Sequence, residues 1–155
     1  MIVNIKGGTP SQQKYVKSIT EYVVAKLMPR MKNLEFNIRL RDFGKDASYG
    51  YCLATDSTDP YRPREFDIDV DRKLRMRVIL ETVAHELVHV KQFARGELYQ
   101  SSMTAKHRWQ GKWLSKNIDY WDLPWEIEAA GREAGLFVRW AEKERIAHLK
   151  WTQKD

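Results

Sequence analysis

The stretch that decides the fold is Glu81-Thr82-Val83-Ala84-His85-Glu86-Leu87-Val88-His89. Its HExxH spacing sets two imidazoles one helical turn apart, so that in a helix both point the same way and can share one zinc ion, with Glu86 between them. At about 100° per residue, His85, His89 and Gln92 fall within about 60° of one another, while Met76, Leu80, Val83, Leu87, Val90 and Ala94 gather on the opposite side. The motif face is separate from the core face. Val78, Val88 and Phe93 add apolar character nearer the motif, so the helix is expected to be covered on several sides, which suits a metal in a partly dry cleft. Asp71 is placed to cap this helix, which should run from Arg72 to about Arg95 and stop at Gly96.

Upstream, Thr9-Pro10 is a helix start, and Val16, Ile19, Val23 and Leu27 carry an apolar stripe as far as Pro29. Leu34, Phe36, Ile38 and Leu40 then alternate with Glu35, Asn37, Arg39 and Arg41, the period of a strand with one buried face. Ser48 to Thr55 and Glu65 to Asp71 follow as two further strands. Three strands in succession predict a small antiparallel sheet. The aspartates of the third lack the glycine turn and terminal glutamate of a calcium loop, and mark it instead as an edge strand protected by charge. The segment from Asp56 to Pro63 reads as a loop inside one domain spanning 1–155. Downstream, Glu97 to Leu123 is less regular and rich in Trp and Lys, and a last helix should run from Pro124 to roughly Lys150.

Composition narrows the chemistry. With 155 residues, 43% apolar and 12% aromatic, the chain has enough apolar surface to fold and falls outside the disordered class. No apolar run approaches a membrane span and no leader is evident, so a soluble, cytoplasmic protein without a membrane partner is expected. Cys52 is the only cysteine and there are four histidines, so a metal here has to be held by His, Asp or Glu. Lys plus Arg exceed Asp plus Glu by 27 to 21, a net +6. The basic residues are scattered, which favours a solvated basic surface over a nucleic-acid contact.

Through the motif, the sequence resembles the zincin metallopeptidases, and the order of strands followed by the motif helix is similar to theirs. The resemblance implies an α+β zincin-like domain, a water deprotonated by Glu86 beside zinc, and a protein or peptide substrate. It also suggests a compact enzyme of bacterial or phage origin. A catalytic zinc takes three protein ligands, so His85 and His89 need a third. Metzincins continue with glycine and histidine where this chain has Gln92 and Arg95, and are excluded. SprT-like proteases, which act on DNA-bound proteins, use a later histidine, for which His107 is the candidate. Gluzincins, the branch of thermolysin, supply a glutamate from a following helix, and Trp125-Glu126-Ile127-Glu128-Ala129-Ala130 is similar to that pattern with Glu126 as ligand. The helical wheel agrees: Glu126 shares its side with Ala130, Glu133, Phe137 and Trp140, whereas Glu128 falls with Arg132 and Arg139, where an exposed pair with Arg132 is expected. The gluzincin Asp that orients a zinc histidine is Ala130 here, so that part falls elsewhere; Gln92 and Glu133 are candidates, with a structural polar contact away from the metal as the alternative for each. Tyr120 is a candidate donor to a developing oxyanion, although packing is the commoner role for a tyrosine. The expected function is a zinc peptidase of the gluzincin type. Its rivals are a SprT-like protease and a non-catalytic binding module.

Overall fold

The computed structural model describes residues 1–55 and 59–154. In chain order these form β1 (Ile2–Gly7), α1 (Pro10–Leu27), β2 (Glu35–Arg41), β3 (Gly50–Ala54), β4 (Glu65–Asp71), α2 (Met76–Ala94), β5 (Leu98–Gln100), β6 (His107–Trp109), β7 (Lys112–Trp113) and α3 (Pro124–Lys143), with 3₁₀ turns at Tyr120–Asp122 and Lys150–Thr152. The architecture is α+β. The first three residues of the Asp56–Pro63 loop lie outside the described residues.

The main sheet has the order β1-β2-β4-β3, with β1, β2 and β4 parallel and only β3 antiparallel. The expected antiparallel sheet is therefore a mixed one. Two features account for the difference. The unforeseen β1 is joined to β2 through α1, and a helical crossover returns the chain to the same end of the sheet, which makes the pair parallel. The strand β4 then inserts between β2 and β3 rather than following β3 outward.

That insertion also corrects the expectation of an edge strand. Asp69 of β4 lies opposite Arg39 in the register with β2 and is only 8% exposed, receiving Arg39 Nε at 2.7 Å and Arg41 Nε at 2.8 Å. Its charge is used inside the sheet, not to guard a border. The borders are β1 and β3.

One sheet face supplies Phe36, Ile38, Leu40, Phe66, Ile68 and Val70 to the buried cluster, where they join Val16, Ile19 and Val23 of α1 and Leu80, Val83 and Leu87 of α2. The helix α3 closes over α2 with Ala129, Phe137 and Trp140. Hence α2 is covered on most sides, as its composition indicated. It starts later than expected, with Arg75 as N-cap, because Asp71 caps a turn before it by accepting the Lys73 N–H at 3.0 Å. It ends as expected, with Gly96 at φ +74°. The helix α1 begins with the reciprocal Thr9–Gln12 capping box. By contrast, α3 stops at Lys143 rather than near Lys150, because Arg145 takes φ +60° and turns the chain back. This packs Trp151 on Tyr15 and Phe137. The segment expected to be irregular contains an antiparallel three-stranded sheet, β5-β6-β7. No helix among the described residues is long and apolar enough to cross a membrane.

Trp140 joins α3 to α1: it is fully buried, stands edge-on to Tyr15 and donates its indole N–H to Ser18 Oγ at 2.9 Å. Trp140→Ala is expected to lower unfolding free energy by about 3–5 kcal/mol, measured by urea denaturation against wild type.

Candidate metal centre

The helix α2 presents His85 and His89 on one face, and α3, started by Pro124, brings Glu126 to them within its first turn. His85 Nε2 lies 3.2 Å from Glu126 Oε2, and His89 Nε2 lies 3.2 Å from Glu126 Oε1. A tetrahedral zinc with bonds of about 2.0–2.1 Å separates its ligand atoms by roughly 3.3 Å. The ligand atoms of His85, His89 and Glu126 all lie within 4.8 Å of one another, in the one such cluster of His, Cys, Asp and Glu among the described residues. The donor set of two imidazoles and a carboxylate fits zinc.

The far nitrogens of both imidazoles are tied down. His85 Nδ1 donates to Glu133 Oε2 at 2.6 Å, since a carboxylate only accepts. His89 Nδ1 meets Gln92 Oε1 at 2.8 Å. The orientation of the Gln92 amide is fixed by its other end, where Nε2 donates to the Trp125 carbonyl at 3.0 Å and to Glu128 Oε1 at 2.9 Å. Both Nδ1 atoms are thereby donors, and both Nε2 atoms are directed at Glu126 and the space beside it. Gln92 and Glu133 thus accept the two imidazole N–H groups, which the methyl group of Ala130 cannot do.

Electrostatics at this point favour added positive charge. Burial works against charging His85, but hydrogen bonds to Glu126 and Glu133 outweigh it and push the imidazole up to about 10. His89 is raised in the same way, against burial, through Glu126 and Glu86. For Glu126 burial acts upward, yet the two imidazoles hold its carboxyl well below the usual carboxylate range. A proton and a divalent cation compete for the same imidazole lone pairs, so an arrangement that holds the one also suits the other.

Glu86 is 6% exposed, and burial raises its carboxyl above the ordinary value against the pull of His89 and His85. Among the described residues nothing hydrogen-bonds its carboxylate. It faces a cleft of about 600 Å³ that is also lined by Ser48, Gly50, Thr82, His85 and Tyr120. Gly50 lets the edge strand β3 come this close: a Cβ there would stand 2.7 Å from Thr82 Cγ2 and 3.2 Å from Glu86 Oε1. The Tyr120 hydroxyl donates to Glu126 Oε2 at 2.9 Å while its ring is half exposed, so it serves the site rather than the core. Burial and the Glu126 bond together push that phenol up to about 12.

Two candidates change role. His107 is not brought to the cluster: it stacks on Trp125, with ring centroids 4.6 Å apart, and so braces the residue that precedes Glu126. Glu128 does pair with Arg132 at 3.0 Å, but it also receives Lys91 Nζ at 2.6 Å and the Gln92 amide, which makes it a support of the site instead of an exposed pair. The supports that sequence reasoning passed over are Lys91, Trp125 and Gly50. Lys91 alone carried a signal, as a lysine within the covered motif helix. No protein-family model, curated protein or solved structure matches this chain.

Glu126→Ala is expected to lose zinc by orders of magnitude in affinity, and Gln92→Ala or Glu133→Ala to weaken it about 10–100-fold. His107→Ala should retain about one equivalent per chain. Competition against a chromophoric chelator, run on all four variants, measures this.

Proposed function

We propose that the protein is a zinc-dependent peptidase with a gluzincin-type ligand set, His85, His89 and Glu126, in a zincin-like domain. The observation that carries the proposal is Glu86, a nearly buried carboxylate with no hydrogen bond among the described residues, placed beside three metal donors at an open cleft. A structural zinc site closes its fourth position with protein, whereas three donors beside a cleft leave one for a reactant. When bound, zinc supplies Lewis-acid chemistry, lowering the pKa of a water and polarising a carbonyl.

The remaining steps belong to the chain. The border strand β3 meets the cleft at Gly50 and offers backbone groups on its unpaired side to an extended peptide. Glu86 takes the proton of the water as its oxygen attacks the carbonyl carbon, and gives that proton to the amide nitrogen as the C–N bond breaks. Tyr120 offers a hydroxyl to the oxyanion that forms between the two steps. Glu133 and Gln92 keep the imidazoles in the tautomer that leaves Nε2 free.

A protease of DNA-bound proteins is the second assignment, and one surface favours it. Residues 98–118 contain no Asp or Glu but include Lys106, Arg108, Lys112 and Lys116. On the outer face of β5-β6-β7, Arg108 lies over the rings of Tyr61, Tyr99 and Trp113 at 5.1, 5.4 and 6.0 Å, with Tyr61 and Trp113 half exposed. Exposed rings among cations are the elements of a single-strand stacking surface. We expect weak binding of a fluorescent oligonucleotide that falls steeply with salt. Sub-micromolar affinity at physiological salt, or cleavage switched on by DNA, moves the assignment to this protease.

Glu86→Gln should keep one zinc and the fold while losing peptide turnover by at least about 10²-fold. Gly50→Ala should also keep zinc while turnover falls. Both are read by zinc content and by mass spectrometry of a peptide-library digest. If the wild-type protein holds zinc and cleaves nothing in a broad library, a non-catalytic binding module replaces the peptidase.

A further inference from the structure

A second cavity, of about 800 Å³, lies at the N-terminal end of α2 and takes no part in the chemistry above. Its floor is apolar, made by Met76, Val78, Leu149 and Trp151, and its basic residues are Arg75, Arg77, Lys150 and Lys154. It adjoins the catalytic cleft, and Val78 and Glu81 line both. We propose that this groove is a subsite for an acidic side chain of the peptide substrate, recognised by Lys150 and Lys154 at three to five residues from the bond that is cut. The substrate role rests on the peptidase assignment.

The charge pattern across the two adjoining cavities carries this. The catalytic end holds the carboxylates of Glu86, Glu126 and Glu133, and the far end is basic. The one acid shared by the two cavities, Glu81, is committed to Arg77 Nε at 2.6 Å. Arg77 is itself committed: a second nitrogen donates to the Thr152 carbonyl at 2.6 Å, and its guanidinium lies over the Phe137 ring at 4.8 Å. Arg77 thus holds the C-terminal 3₁₀ turn against α2 and thereby sets where Lys150 stands. Lys150 and Lys154 are exposed and make no ion pair among the described residues, so theirs are the charges an incoming peptide meets.

The spacing follows from helix geometry. Val78 and Arg75 precede His85 by seven and ten residues, which at 1.5 Å per residue is about 10–15 Å along α2. An extended peptide advances about 3.3 Å per residue, so three to five residues cover that span. A substrate acid held close to the cut bond would face the carboxylates of the site, whereas one held in the groove would face lysines. The apolar floor accepts the hydrophobic neighbour of such an acid.

The test has a cleavage arm and a binding arm. Wild type and Lys150→Glu/Lys154→Glu are each loaded with zinc and given a proteome-derived peptide library, and the cleaved bonds are mapped by mass spectrometry. Wild type should show Asp or Glu enriched three to five residues from the cut on one side, and the charge-reversed protein should replace them there with Lys or Arg. Cleavage with no acidic preference, or with a preference the double variant keeps, overturns the subsite and leaves the peptidase standing. For binding, fluorescein-labelled octapeptides carrying Glu-Leu-Glu or Gln-Leu-Gln are titrated into zinc-loaded Glu86→Gln protein. The acidic peptide should bind about tenfold more tightly at low salt, an advantage that Lys150→Glu/Lys154→Glu abolishes. Lysine-dependent binding without any cleavage keeps the groove as an acidic-peptide site and removes the peptidase. No difference between the two octapeptides, together with no cleavage, removes both.

Discussion

A single buried amide holds the candidate site together. Gln92 is fully buried, and both ends of its side chain are used, the oxygen on the His89 ring and the nitrogen on the Trp125 carbonyl and Glu128. An unsatisfied buried amide costs roughly 1–3 kcal/mol, so displacing the first turn of α3 would leave donors and an acceptor without partners. That turn carries Glu126. The position of the carboxylate between the two imidazoles is therefore set by packing and hydrogen bonding within the chain. Lys91, only 8% exposed in its side chain and shared by Glu97 and Glu128, fixes the same turn from the other side.

This arrangement has an electrostatic cost, and the local charges show how it is met. Glu86, Glu126 and Glu133 gather around two imidazoles, a concentration of negative charge that water alone would not stabilise in a site this dry. Hydrogen bonds to the carboxylates raise His85 and His89 against burial, and the two imidazoles lower Glu126. A divalent cation held there would set positive charge beside all three side chains at once. Metal binding and folding would then be linked, since an ion held by His85, His89 and Glu126 would tie α3 to α2.

The site was more legible in the sequence than the sheet that frames it. His85, Glu86 and His89 follow from spacing alone, and the wheel separated Glu126 from Glu128 because an inward stripe of Ala130, Phe137 and Trp140 marks the buried side of α3. The candidate supports Gln92 and Glu133 were visible as polar residues on those same stripes. The sheet was misjudged because alternation reports which face is buried and carries no information about which strand is the neighbour. Arg39, Arg41 and Asp69 held the missing clue: two arginines on one strand and an aspartate on another neutralise each other only if β2 and β4 are adjacent. Contacts between aromatic rings, such as His107 on Trp125, leave no periodic trace at all, and for that reason a stacking histidine resembled a ligand.

The topology of the sheet also explains why the cleft is open where it is. Inserting β4 between β2 and β3 moves β3 to the border, and the short connection before it places Ser48 to Gly50 over the middle of α2. An antiparallel meander in sequence order would have put the charged β4 at that border, with Asp67, Asp69 and Asp71 near a site already rich in carboxylates. In the observed order Asp69 is neutralised by arginines within the sheet, and the border strand beside Glu86 begins with a glycine. Gly50 brings backbone to the cleft and no side chain, so the strand approaches Glu86 closely without filling the cleft. The sheet order and that one glycine together turn a buried helix face into an accessible one.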